Sequence, residues 1–294
     1  MKRTRRVRLV LLAVLLGVAS LGAYADDIAR GDSAWASRAE GERDGRPQSG
    51  RVLEAVAHFE SALVARPESL EARWKLLRAL HFAGDFALLD EVEGEPLFER
   101  ARDVSEEGLE LLAQQLGSGT RLDELESDAI ASRLETSDVR PEDAARLHFW
   151  AAINWGAWSR TVGLLSAVRQ GVANRLHRYA LVTIALEPDY EEGGAFRLLG
   201  SLHAELPSVP FLSGWVDRRE AIPLLERAYA LAPGHPGNGL LLSLTLFELA
   251  PERSGEALRL LGEVGRLEPR PSMRIEDLAI LREAQQELAG REQT

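Results

Sequence analysis

A spacing of small and large apolar residues that recurs three times constrains this chain more than anything else in it. Ala55, Phe59 and Ala62 lead to Pro67 with three, two and four residues between them. The same gaps separate Ala221, Leu225, Ala228 and Pro233, and again Ala257, Leu261, Val264 and Pro269, the last two copies lying 36 residues apart. On a helix these positions share a face, where the small residues let a second helix approach and the large one fills the gap. The proline then stops the helix, because it has no N–H to donate and its ring meets the preceding turn. Units of this length are helix hairpins close to the tetratricopeptide period, which stack on their neighbours instead of folding round one centre.

After each proline the chain reads as the first helix of the next hairpin: Leu70 to Phe82, Gly193 to Ala204 after Pro188, and Leu240 to Leu249. Gly84-Asp85 and Gly255 fall where such hairpins turn. Glu95 to Leu116, Pro141 to Trp158 and Gly171 to Leu186 carry apolar residues at helical spacing without the signature. Pro223 lies inside the Ala221 helix, which therefore either begins there or is kinked. No stretch alternates with period two. The expected fold is all-α, a single tetratricopeptide-like helical-repeat array over residues 51–294. Asp26 to Gly50 form an N-terminal arm, and Gly117 to Arg140 a polar connector with one short helix.

The first 25 residues read as an address. Met1 to Arg8 is basic, Leu9 to Gly22 is apolar, and Ala23-Tyr24-Ala25 places small residues where a signal peptidase needs them. Cleavage after Ala25 is expected, and the mature protein is expected in the periplasm. Retention as an anchor is the alternative, although the run is shorter than the ~20 residues a spanning helix requires. The 294 residues include no cysteine, so disulfides, thiolate chemistry and lipidation of a mature N-terminal cysteine are excluded.

Thirty-five basic residues against 46 acidic ones leave a net charge of −11. Such a balance repels phosphate backbones, so neither nucleic acid nor an anionic membrane surface is an expected partner. The six histidines form no i, i+4 pair, no glycine-rich phosphate loop is present, and no serine sits in a nucleophile elbow. No metal, cofactor or catalytic constellation is expected.

The aromatic residues are more pointed. Trp150, Trp155 and Trp158 fall within nine residues, and Trp150 and Trp158 share a helix face with Asn154 midway. Phe196 and Arg197 come directly after Gly193-Gly194-Ala195, while Phe211 and Trp215 end a proline-punctuated loop from Pro207. These residues either fill wide gaps between helices or line a concave apolar pocket with Asn154 and Arg197 as orienting groups.

The run Phe149-Trp150-Ala151-Ala152-Ile153-Asn154-Trp155-Gly156-Ala157-Trp158, the stretch from Tyr190 to Gly200, the loop Pro207 to Trp215 and the segment Ala221 to Asn238 together resemble the T-component (TatT) family of TRAP transporters. Trp35 to Ala39 and Ala55 to Gly84 are similar as well. The resemblance implies a non-enzymatic periplasmic partner of a TRAP solute-binding subunit, in some relatives a trimer, with a cleft suggested to pass apolar ligands. It implies a ligand-binding set of Trp150, Asn154, Trp158, Tyr190, Gly193, Gly194, Phe196, Arg197, Phe211 and Trp215. Many relatives are lipoproteins, and this chain departs from them in having no lipidation cysteine. A periplasmic repeat scaffold that binds a protein and has no small-molecule pocket is the alternative.

Overall fold

The signature positions are the buried ones. In a computed structural model that describes residues 21–87, 91–117, 119–210 and 212–291, Ala55, Phe59, Ala62, Ala221, Leu225, Ala228, Ala257 and Leu261 are fully buried, and Val264 is nearly so. The apolar run of the expected signal peptide lies almost entirely outside the described residues, as does Phe211. Among the described residues there are helices and turns but no strand, and no helix is long and apolar enough to cross a membrane.

Thirteen helices are described: α1 (21–36), α2 (Ser49–Ala65), α3 (Leu70–Phe82), α4 (Glu91–Gln115), α5 (Ser127–Leu134), α6 (Pro141–Val162), α7 (Leu164–Arg169), α8 (Val172–Leu186), α9 (Gly194–Glu205), α10 (Arg218–Leu231), α11 (Pro236–Leu249), α12 (Ser254–Val264) and α13 (Arg274–Arg291). They pair as antiparallel hairpins α3/α4, α6/α8, α9/α10 and α11/α12, with α3 packed on α6 and α9 on α11. The chain is a tetratricopeptide-like helical-repeat array.

Local chemistry sets the boundaries. Ser69 caps α3 by accepting from the Ala72 amide at 3.1 Å, and Asp217 caps α10 by accepting from the Arg219 amide at 3.0 Å. Pro141 and Pro236 open α6 and α11 at the first turn, where a missing N–H costs nothing. Helix α10 begins at Arg218, so Pro223 sits in its interior and removes one internal hydrogen bond. The turn after α3 is a π-helical segment, Ala83–Ala87, and the connector between α4 and α6 holds α5 and a 3₁₀ turn, Leu122–Glu124.

The two ends of the array meet. Helix α1 lays Ala34 on the core, and its Gly31 lies so close to the Phe59 ring that a β-carbon would stand 2.5 Å from it. Just beyond α1, the Arg38 guanidinium reaches Glu276 of α13 at 2.7 Å and also donates to the Ser272 carbonyl. Arg274 bonds Glu42 at 3.1 Å, and Arg282 donates to the Asp44 carbonyl at 3.0 Å. The stack of hairpins is thereby closed by its own N-terminal segment.

Candidate functional site

Where the ends meet lies a partly open cavity of about 370 Å³, on the side of α3, α6 and the start of α13. Its apolar wall is aromatic: Trp35 from α1, Phe82 from α3, Phe86 from the π turn and Trp150 from α6. Trp35 and Phe82 meet edge to face at 5.5 Å, and Phe82 and Phe86 lie 5.2 Å apart, so the rings brace one another. Trp150 is fixed by its indole N–H, which donates to the Tyr190 hydroxyl at 2.8 Å, and by an edge-to-face contact with Phe149.

The polar wall is less settled than a protein interior normally permits. Arg78 lies over Trp35 with its guanidinium 4.3 Å from the ring centre and 5.2 Å from that of Trp74, yet its Nε has no hydrogen-bond partner. The nearby His81 Nδ1 and Glu276 Oε2 are likewise buried and unpartnered. Glu191, which also faces the cavity, makes no ion pair or side-chain hydrogen bond among the described residues. Burial lowers the Arg78 and His81 pKa values and raises that of Glu191, each a shift away from the charged form. Three polar atoms beside the hollow are thus shut off from solvent without a partner, where such groups are ordinarily satisfied, and the Glu191 carboxylate faces the hollow unpaired.

Glu191 is held there by a strained turn. Glu191, Glu192 and Gly193 have φ values of 48°, 55° and 81°, three consecutive residues in the left-handed region. For the two glutamates that conformation costs on the order of 1–3 kcal/mol each and persists only when its surroundings enforce it. Arg197 does so, donating to the Glu191 carbonyl at 2.9 Å, the Glu192 carbonyl at 3.0 Å and the Asn238 Oδ1 at 2.8 Å. Burial lowers its pKa to about 10. Gly193 is needed twice over, for its positive φ and because Ala228 Cα would stand 3.1 Å from a β-carbon; Gly194 gives way to the Phe149 ring.

The residues that the sequence singles out therefore separate into distinct places. Trp150 lines the cavity and Tyr190 fixes it, while Gly193, Gly194 and Arg197 build the turn that carries Glu191. Asn154 is fully buried and joins α6 to α3, its amide donating to the carbonyls of Leu77 at 3.0 Å and Trp150 at 2.8 Å. Trp158 packs edge to face on Trp155 beneath the Arg102 guanidinium and does not line the cavity. Phe196 is half-buried, and Phe211 falls outside the described residues.

Trp215 lies elsewhere, stacked on His177 with ring centres 4.0 Å apart and donating to Asn174 Oδ1 at 2.6 Å. Asn174 lines a second hollow, an apolar groove of about 400 Å³ between α7 and the 206–213 loop, which Trp158 does not reach either. Around it Leu164 and Leu165 are 79% and 74% exposed, and Val168 and Leu212 stand out beside them. The surrounding sequence from Ala144 to Leu186 contains five arginines and no carboxylate, in a chain that is otherwise strongly acidic. Arg169 and Arg178 of this strip are exposed.

Sequence patterns do not point to Trp35, Arg78, His81, Glu191 or Glu276 as a group. No spacing rule joins them, because they come from separate segments brought together by closure. The acid-free strip is legible as a composition shift.

No family model and no curated protein matches the chain. Among solved structures it is similar to the crystal structure of yeast Tom70, at 15% identity over 92% of this chain and 67% of that one, with a TM-score of 0.26. So loose a likeness adds nothing to the architecture that the helices themselves define.

Proposed function

We propose that this protein is a non-enzymatic accessory (T) component of a TRAP-type transporter, exported to the periplasm with cleavage after Ala25, which docks the solute-binding subunit and holds a small molecule with an apolar body. The observation that carries the small-molecule part is the aromatic cavity with its unpartnered polar groups, to which Trp150 contributes from the aromatic-rich helix that resembles the TatT family. A site of this kind binds by burying apolar surface and orients its ligand with a few polar contacts. Assembly as a trimer belongs to the same proposal.

Native mass spectrometry of the protein purified from periplasm tests it. A co-purified small organic molecule, lost in Trp150→Ala with helicity intact, is the expected result; a clean apo mass in both proteins refutes the small-molecule reading. Capture of the cognate solute-binding subunit in a pull-down tests the partner.

A second reading, a periplasmic scaffold with no small-molecule ligand, draws support from the exposed groove beside α7. Contiguous exposed leucines with polar neighbours mark protein interaction sites more often than idle surface. Leu164→Ser with Leu165→Ser abolishes partner capture under this reading.

A further inference from the structure

The aromatic cavity carries two groups of opposite charge type that do not reach each other. Arg78 comes from α3 and Glu191 from the strained turn before α9; both face the hollow, and neither has an ion-pair partner among the described residues. Any contact between them is longer than the 4.0 Å of an ion pair, since none forms. A salt bridge between them would remove the cost of leaving two charges in a desolvated place. The fold instead holds Glu191 in position with a positive φ, enforced by two hydrogen bonds from Arg197 to the turn carbonyls while a third, to Asn238 Oδ1, anchors Arg197 itself. Neighbouring groups extend the same polarity: Arg38 is already engaged by Glu276, whose second oxygen, Oε2, is left as an unused acceptor.

A ligand that satisfies both ends must offer acceptors to a guanidinium and donors to carboxylates, on one small frame with an apolar remainder. A simple organic anion would answer Arg78 and leave Glu191 facing like charge; a neutral hydrocarbon would leave both unpaired. We propose that the cavity binds a zwitterionic α-amino acid with a large apolar or aromatic side chain. Its carboxylate lies on Arg78, its ammonium on Glu191, and its side chain among Trp35, Phe82, Phe86 and Trp150. A cavity of about 370 Å³ has room for such a molecule. This inference rests on the small-molecule reading of the cavity and names the class of ligand. Arg197 acts as a positioning residue, setting where the Glu191 carboxylate stands without touching the ligand.

Isothermal titration of the ligand-stripped protein tests it with L-phenylalanine and three analogues: N-acetyl-L-phenylalanine, which lacks the ammonium, L-phenylalaninamide, which lacks the carboxylate, and 2-phenylethanol, which lacks both. L-Phenylalanine is expected to bind at least tenfold more tightly than each analogue. Arg78→Gln is expected to weaken L-phenylalanine at least tenfold and leave the amide unchanged. Glu191→Gln weakens L-phenylalanine by a similar factor and leaves the N-acetyl compound unchanged. The wild-type comparison needs no variant, so misfolding cannot mask the answer. Equal binding of all four, or tightest binding of the N-acetyl compound or the amide, overturns the zwitterion assignment and leaves the small-molecule cavity standing. Binding of none of the four overturns the assignment, and the native mass of the purified protein then decides whether the cavity holds a small molecule at all.

Discussion

Arg38 and Glu276 stand 238 positions apart in the chain and 2.7 Å apart in space. The pair joins the segment after the first described helix to the start of the last one, and turns an open stack of hairpins into a closed one. Arg38 is 4% exposed and also lies 4.1 Å over the Trp35 ring, so its charge is compensated almost entirely by protein groups.

Breaking that pair should therefore cost more than a surface ion pair. Arg38→Ala is expected to destabilise the fold by about 3–5 kcal/mol, because Glu276 is then left without its cation. Urea unfolding measures the loss. Hydrogen exchange should rise in residues 30–46 and at the start of α13, and unchanged protection there would show that closure does not depend on this contact.

Phe59 is the large member of the first repeat signature, fully buried between Ala55 and Ala62 and touched by Gly31. Phe59→Ala should cost about 3–5 kcal/mol, the usual penalty for emptying an aromatic site in a close-packed core. Val64 in the same helix is 84% exposed, and Val64→Thr should change stability by less than about 0.5 kcal/mol. Paired thermal melts check the contrast.

Acid should weaken the fold through its buried histidines. Burial, with help from His203 and Arg178, lowers the His177 pKa to about 4, and burial lowers that of His235 to about 2. The unfolded chain takes up these protons near the ordinary histidine pKa of about 6.5, before the folded chain does. Their contribution to stability is therefore intact above about pH 6.5 and declines as pH falls through the window from about 6.5 to 4, with His235 extending the slope below 4. Melting temperature against pH measures it, and His177→Gln should flatten the upper part. Because His177 stacks on Trp215, the fluorescence of that tryptophan should titrate near pH 4, a transition absent from Trp215→Phe.

Intact mass of the protein recovered from periplasm should correspond to a chain beginning at Asp26. Such a chain lacks Tyr24, whose hydroxyl lies 2.8 Å from Ser69 Oγ, but Ser69 keeps its cap on the Ala72 amide. Removal of Tyr24 should accordingly change stability by about 1 kcal/mol or less. A mass that retains residues 1–25 would favour the anchored alternative.

Periodicity makes the helices readable. The small-large-small spacing and its prolines mark buried faces and stops through interactions within a turn or between adjacent hairpins, so Phe59, Leu225 and Leu261 are identifiable from the chain alone. Tryptophan clustering draws attention to α6, and Gly193-Gly194 to the turn before α9, for the same local reason. Local pattern does not say which aromatic opens on a hollow. Trp150 and Trp158 sit on one helix two turns apart, yet one lines the cavity and the other lies beneath Arg102.

The sequence by itself determined an all-helical repeat and the buried faces of its signature helices, because each depends on residues close together in the chain, and its lack of cysteine excluded thiol chemistry. Only the tertiary structure decided that the array closes, that Arg78 and Glu191 share one cavity, and that Trp215 belongs to another surface. Closure depends on small rotations accumulated over successive hairpins, and on contacts such as Arg38 with Glu276 that leave no periodic trace. Where the ends of such a stack meet, side chains of no common motif become neighbours, and it is there that the unpaired charges lie.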